Sequence, residues 1–141
     1  MSNLTSREKV YDFMEKAGVL YLSTEDGEKP KIRPIGFRML VDGQIYFLTG
    51  TFKNLYDQML RNSNVEFLAR NGQEFMRYYG KVVFDEDEDK RLLNKAFEKM
   101  PMLKKMYGEN SDLTPVIFHI SKATAEIRDM NGIIETYNFL D

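Results

Sequence analysis

Four dipeptides in which Asp or Asn precedes Gly divide this chain into short segments rich in β-branched and aromatic residues. They are Asp26-Gly27, Asp42-Gly43, Asn71-Gly72 and Asn131-Gly132. Turns of this composition join antiparallel strands, because these residue types tolerate the positive φ that a tight hairpin needs. A parallel sheet would instead require crossover helices between its strands, and the first three strand segments have none. The chain is therefore predicted to be built on an antiparallel sheet.

The segments between these turns have the residue pattern of strands. They cover about residues 19–24, 31–41, 44–49, 65–70, 73–84, 114–127 and 133–137. Pro34 and Gly36 interrupt the second segment, which indicates an edge position or a bulge near Arg33. We expect the first three segments to form a meander, in which the strand of Arg33 pairs with the strand that ends at Thr49. Six or seven such strands predict a closed or partly closed antiparallel barrel.

Helical periodicity predicts helices at the periphery of this barrel. Thr5 and Glu8 have the spacing of a capping box, and Gly18 ends the helix that follows over residues 6–17. Further helices are predicted over residues 53–61, 85–100 and 102–107.

Composition excludes several classes of function. The net charge of −2 and the absence of a basic tail argue against nucleic acid or a membrane surface as partner. The chain has no cysteine, which excludes disulfides and thiolate metal sites and suits a cytoplasmic protein. No apolar run reaches the ~18 residues of a membrane span, and 141 residues are enough for a single domain.

Two further features are interpreted as structural. His119 is the one histidine, lies in a strand segment and is expected to have a satisfied imidazole rather than to bind a metal. The acidic run from Asp85 to Asp89 begins like a calcium loop, but Lys90 and Ala96 stand where such a loop requires Gly and Glu. It is interpreted as the solvated start of a helix, and no metal site is expected.

A set of cations is the most informative candidate site. If the strands pair as expected, Arg33, Thr49 and Lys53 converge at one rim of the sheet. Two cations, a hydroxyl and helix-terminal N–H groups would suit a phosphomonoester. The alternative is that these are exposed charges on an edge strand, where lysine and proline block aggregation. The spacing alone leaves both interpretations open.

The chain resembles the pyridoxamine 5'-phosphate oxidase-like proteins along nearly its whole length. The similar segments, in order, are residues 29–37, 43–49, 53, 62–65, 79–82, 100–103, 118–120 and 125–127. The resemblance implies a mainly β (α+β) fold, a six-stranded antiparallel split barrel with peripheral helices that spans residues 1–141. It also implies a tight homodimer with FMN in the groove between subunits.

The resemblance also implies roles for individual residues. Arg33 and Lys53 would hold the FMN phosphate with help from Thr49, and the backbone of residues 34–36 would approach the flavin ring. The whole implied cofactor-binding set is Arg33, Pro34, Ile35, Gly36, Leu48, Thr49 and Lys53. By the same resemblance, Arg38 occupies the position of a basic residue near the substrate phosphate of the oxidase. Residues 73–77 correspond to the segment through which one subunit contacts the flavin of its partner.

The chain departs from the vitamin B6 oxidases in its last residues, 136–141, which lack their arginine-containing substrate motif, and in having no tryptophan. Oxidation of pyridoxamine phosphate is therefore not expected. We expect an FMN-dependent oxidoreductase, similar to flavin reductases and nitroreductases, that acts on a small aromatic or quinone-like acceptor, with Arg38 and Tyr78 as positioning residues. The alternative is a non-catalytic flavin- or haem-binding stress protein, in which His119 would be the axial ligand.

Overall fold

Antiparallel pairing joins all the strands in the computed structural model, which describes residues 4–141; the first three residues of the predicted domain lie outside this range. In chain order the elements are α1 (Ser6–Ala17), β1 (Leu20–Asp26), β2 (Lys29–Ile35), β3 (Met39–Val41), β4 (Gln44–Gly50), α2 (Asn54–Arg61), β5 (Asn64–Asn71), β6 (Glu74–Phe84), α3 (Arg91–Lys99), α4 (Met102–Tyr107), β7 (Pro115–Asp129) and β8 (Gly132–Asn138). None of the helices in this described part of the chain is long and apolar enough to cross a membrane.

The sheet follows the order β2-β1-β5-β6-β7-β4-β3, and β8 also pairs with β7. The long strand β7 pairs with β6 along most of its length. On its other side β7 pairs first with β4, from Pro115 to Phe118, and then with β8, from Thr124 to Asp129. The predicted class, a mainly β antiparallel split barrel with peripheral helices, is confirmed. Residues 4–141 form eight strands rather than the expected six.

The expected meander of the first three strand segments is wrong. The second segment divides into β2 and β3, and β2 pairs with β1, from Leu20 opposite Ile35 to Asp26 opposite Lys29. The strand β3 forms a separate hairpin with β4, so the strands of Arg33 and Thr49 are not neighbours. The physical reason is that residues 36–38 leave the sheet, and the side chains of Phe37 and Arg38 are buried. The edge position predicted for the Arg33 segment is confirmed.

The helix predictions hold except at the start of α3. The Thr5 hydroxyl accepts a hydrogen bond from the Glu8 amide at 3.1 Å, and Gly18 ends α1 with a φ of 84°. The helix α3 begins six residues later than expected, after Lys90 at a φ of 59°. The carboxylate of Asp87 accepts hydrogen bonds from two amides of its first turn, each at 2.9 Å. Part of the acidic run therefore caps α3 instead of lying within it.

An aromatic cluster fills the centre of the sheet. Phe47 stacks on Phe67 with ring centroids 4.3 Å apart, and Phe118 and Tyr78 complete the cluster. All four side chains are almost completely buried, and α1 packs in the same core through Val10 and its neighbours. A second cluster lies under α3, where Leu92, Leu93 and Ala96 pack with residues of β3, β4 and β7. These two cores fix the helices against the sheet.

A group of charges ties segment 36–38 to two helices. Nε of Arg38 donates to Glu15 of α1 at 2.7 Å, and Arg38 also donates to the carbonyls of Gly36 and Gly18. Lys99 of α3 donates to Glu15 at 3.3 Å and to the Arg38 carbonyl. Burial raises the pKa of Glu15, but the hydrogen bond from Arg38 and the charges of Lys99 and Arg38 outweigh it, so this pKa lies below its ordinary value.

Replacing Glu15 by glutamine is expected to lower the free energy of unfolding at pH 7, because the buried Arg38 guanidinium loses its anionic partner. A carboxylate whose pKa is depressed in the folded state contributes stability above its unfolded pKa, about 4.3, and this is lost as the pH falls through the folded pKa. The difference from wild type should therefore shrink in acid. Urea unfolding at several pH values measures it.

Asp12→Asn is the matched control, because Asp12 forms an exposed pair with Lys16 on the same helix. Its effect should stay below about 0.5 kcal/mol at every pH. If Glu15→Gln lowers the free energy of unfolding by the same amount at pH 7 and at about pH 3, the ion pair is not the cause of the loss.

Candidate functional site

A cleft of about 450 Å³ lies between the edge strand β2 and the first turns of α2. We call it the β2–α2 cleft. Its lining includes Arg33, Pro34 and Ile35 from β2, Lys53 at the N-cap of α2, and Leu55 and Gln58 within α2. Four of the seven predicted cofactor-binding residues, Arg33, Pro34, Ile35 and Lys53, therefore line one cleft. Arg33 and Lys53 meet there because α2 packs against β1, the neighbour of β2, and Lys31 of β2 is a third cation in the lining.

The Arg33 side chain is held by uncharged oxygen atoms. Its NH1 group donates to the Thr24 hydroxyl at 2.7 Å and to the Leu22 carbonyl at 3.2 Å. Its NH2 group donates to the side-chain oxygen of Gln58 at 2.7 Å. Burial lowers the pKa of the Arg33 guanidinium, which nevertheless stays protonated because its ordinary pKa is so high. A half-buried positive charge thus lies at the cleft without a carboxylate beside it.

Lys53 is exposed at the start of α2 and has the extended conformation of an N-cap residue. No side chain caps this end of the helix within the described part of the chain. In the first helical turn the Tyr56 amide donates to the Lys53 carbonyl at 3.1 Å, and the amides before it have no preceding turn to bond to. The helix dipole adds positive potential there. Asp26 is the acidic residue in the cleft lining, and its carboxylate lies 3.4 Å from Arg61. The cleft is consequently suited to an anion.

The structure does not bring Leu48, Thr49 or Gly36 into the lining of this cleft. Leu48 is buried in the core under α3, and Gly36 is exposed with its carbonyl bonded to Arg38. Thr49 is 1% exposed, and its hydroxyl has no hydrogen-bond partner among residues 4–141. Thr49 does not join Arg33 and Lys53 in the lining of this cleft, because its side chain is buried within the subunit.

Arg38 lies in the charge group with Glu15 and Lys99 rather than in the β2–α2 cleft. Its expected contact with substrate stays a prediction. Tyr78 is completely buried in the aromatic cluster, and burial raises its pKa to about 12. Both side chains are therefore part of the interior packing of the subunit.

His119 has the satisfied imidazole that the sequence predicts. Its Nδ1 lies 2.9 Å from both carboxylate oxygens of Asp85, and its ring packs edge-on against Tyr46. Within residues 4–141, no three His, Cys, Asp or Glu side chains are grouped closely enough to hold a metal ion.

Sequence reasoning missed two polar residues of the site, Thr24 and Gln58. A signal for Gln58 was present, because helical spacing places it on the same face of α2 as the buried residues Leu55 and Met59. A glutamine on the buried face of a helix must find a polar partner, and here the partners are Thr24 and Arg33.

Three solved structures illustrate what the chain is similar to. A NimC/NimA family protein from Clostridium acetobutylicum is 28% identical, with a TM-score of 0.83, over 94% of this chain and 92% of that one. A pyridoxamine 5'-phosphate oxidase-related, FMN-binding protein from Nostoc punctiforme shares the fold at 14% identity and a TM-score of 0.65, over 98% and 91%. A heme-binding protein from Mycobacterium smegmatis shares it at 11% identity and a TM-score of 0.67, over 99% and 60%.

No curated protein matches the chain. The family model described as pyridoxamine 5'-phosphate oxidase does match, over residues 6–128, which include every element from α1 to most of β7. The chain therefore belongs to the pyridoxamine 5'-phosphate oxidase family.

Proposed function

We propose that this protein is an FMN-dependent oxidoreductase of the flavin reductase or nitroreductase kind that acts on a small organic acceptor in the cytoplasm. One observation carries the proposal: Arg33 and Lys53, which lie on different elements, meet in the β2–α2 cleft beside the N-terminus of α2. This donor set fits the phosphate of FMN, because two cations and free helical amides together match a dianion.

Each group in the cleft has a separate part in this binding. Arg33 is fixed in direction by its three acceptors and offers planar N–H donors. Lys53 adds a mobile point charge, and Pro34 and Ile35 present an apolar wall beside it. When bound, FMN supplies the redox chemistry, and the protein supplies orientation and electrostatics.

A homodimer is part of the proposal, because an exposed apolar patch borders the cleft. Tyr21, Ile32 and Leu68 are exposed on three neighbouring strands, with Tyr21 directly opposite Leu68. Ile32, at 66% exposure, pairs with Ser23, which lies on the same face of β1 as Tyr21. Ile32 also lines the cleft at the edge of β2, so a second copy that reaches around this edge would border the cleft, and FMN would then lie between subunits.

The second candidate function is non-catalytic haem or flavin binding, which the heme-binding structural relative favours. Haem needs an axial ligand, and His119 is the one histidine of the chain. Its imidazole is bonded to Asp85 and mostly buried, which supports the flavin instead.

Lys53→Ala is expected to weaken FMN by roughly 10- to 150-fold, because a charge-assisted contact to phosphate is worth about 1.5 to 3 kcal/mol. Riboflavin lacks the phosphate, so its affinity should hardly change. Flavin fluorescence titrations measure both. Lys29→Ala is the matched control, since Lys29 is an exposed lysine of β2 outside the cleft lining. Equal FMN affinity in wild type and Lys53→Ala would contradict the proposed phosphate site.

The purified protein should show flavin absorbance, and a haem absorption band at about 400 nm would instead favour the second function.

Turnover separates the two candidate functions. FMN-loaded protein that has been reduced with dithionite under anaerobic conditions should be reoxidised by a quinone or nitroaromatic compound faster than free FMN is. The return of flavin absorbance in stopped flow measures the rate. A rate equal to that of free FMN at the same concentration would identify a carrier rather than an oxidoreductase.

Light scattering should show a dimer at micromolar concentration, with an interface at the upper end of the usual ~1,200 to 2,000 Å² or above. Ile32→Asp should shift it towards monomer, because it places an unpaired charge in the apolar patch. Met130→Asp, at an exposed position in the turn between β7 and β8, serves as the control. A wild-type monomer would refute the dimer.

A further inference from the structure

We propose that Gln58 and Thr24 are positioning residues that aim one edge of the Arg33 guanidinium at a bound phosphate without neutralising its charge. This inference rests on the proposed FMN phosphate site and assigns two residues outside the phosphate-contacting set to it.

The three side chains form one continuous hydrogen-bonded chain. The Thr24 hydroxyl donates to the Gln58 oxygen at 2.6 Å and accepts from Arg33 NH1 at 2.7 Å. The same Gln58 oxygen accepts from Arg33 NH2 at 2.7 Å. Thr24 and Gln58 are 2% and 5% exposed, so water does not compete for these bonds. The side-chain amide of Gln58 must direct its oxygen towards Arg33, because its NH2 group is a donor and could not accept the hydrogen bond from the guanidinium.

The bonds occupy a defined part of the guanidinium. Of the five N–H groups of an arginine, NH1 and NH2 supply the three that bind Leu22, Thr24 and Gln58. Two N–H groups remain without an acceptor among residues 4–141: the Nε–H and the NH2 hydrogen next to it. These two hydrogens lie on one edge and form the fork that binds two oxygens of a phosphate.

The charge of the acceptors matters as much as their position. Elsewhere in the described chain, each buried or half-buried arginine has a carboxylate partner: Arg7 has Asp141, Arg38 has Glu15, Arg77 has Glu66 and Arg128 has Glu126. A carboxylate fixes a guanidinium but cancels its charge for any further anion. A hydroxyl and an amide oxygen fix Arg33 equally well and leave its positive charge for the ligand.

The arrangement also couples the two cations of the site. Gln58 lies on α2, whose N-cap is Lys53, and Thr24 lies on β1, whose neighbour β2 carries Arg33. The bond between Gln58 and Arg33 therefore sets the edge strand and the helix N-terminus at a fixed separation across the cleft. The Arg33 guanidinium and the start of the helix that carries Lys53 are therefore held in place before the ligand arrives, which reduces the entropy cost of binding.

The test measures the ratio of FMN affinity to riboflavin affinity in the full chain freed of cofactor. Gln58→Glu keeps the shape and the acceptor but adds a negative charge against Arg33, so FMN should weaken at least about tenfold while riboflavin changes less than about threefold. Thr24→Val removes the hydroxyl at constant shape and should lower the ratio as well. Thr24→Ser restores the hydroxyl and should return the ratio to that of wild type.

Gln44→Glu is the matched control, because the Gln44 oxygen also accepts from an arginine, Arg7, away from the cleft. It should leave the ratio unchanged. If Gln58→Glu does not fold, the two Thr24 variants carry the test alone.

The outcomes separate this inference from the proposed function. If Lys53→Ala lowers the ratio but Gln58→Glu and Thr24→Val do not, the phosphate site stands and the positioning role is wrong. Equal losses for FMN and riboflavin would likewise overturn it, since they indicate a purely structural role. A wild-type protein that binds both ligands equally would refute the phosphate site itself.

Discussion

Two prolines keep β2 at the edge of the sheet, and the candidate site depends on this edge position. Pro30 and Pro34 have no backbone N–H to donate, so this strand can be bonded fully along one side only. Its paired side faces β1, and its other side is left for the turn of chain that carries Lys53 and for α2. A strand with two neighbours would have filled the space that the cleft occupies. The unpaired edge of β2 thus borders the anion site.

The sequence predicts features that depend on neighbouring residues, such as helix ends and turns. It does not predict which distant strands pair. The limits of α1 followed from a capping threonine and a terminal glycine, which act within a few residues of themselves. The residue types of Arg33 and Lys53 left two interpretations open, the family resemblance suggested their roles, and both residues line one cleft. The meander failed because hairpin signals state only that a chain turns, and they do not state which strands meet afterwards. Phe37 and Arg38 are buried, and Arg38 is held by contacts with α1 and α3 that no local sequence pattern predicts.

Buried polar groups divide the molecule into two kinds of region. In the charge group of Arg38, Glu15 and Lys99, opposite charges satisfy one another, and the group is complete as it stands. Around Arg33 the acceptors are neutral and one edge of the guanidinium is unused, so the region is electrostatically incomplete without a ligand. Among residues 4–141, four other buried polar atoms also have no hydrogen-bond partner, and they lie outside the lining of the cleft: Arg7 Nε and the hydroxyls of Thr49, Tyr78 and Tyr107. A missing partner alone therefore does not identify a binding site; the Arg33 region differs because its unused donors carry a charge and border a cleft.

The shared strand β7 has a consequence for the way the chain folds. The hairpins β1–β2, β3–β4, β5–β6 and β7–β8 each join segments that are adjacent in sequence and can form early. The pairing of Leu48 with Ile117 joins segments far apart, and it closes the core beneath α3. Closing so long a loop costs chain entropy before any contact repays it, so we expect this seam to form late in folding. Until β4 docks on β7, each lacks a bonded neighbour along this seam, and the newly made chain is most open to intermolecular strand pairing during that interval.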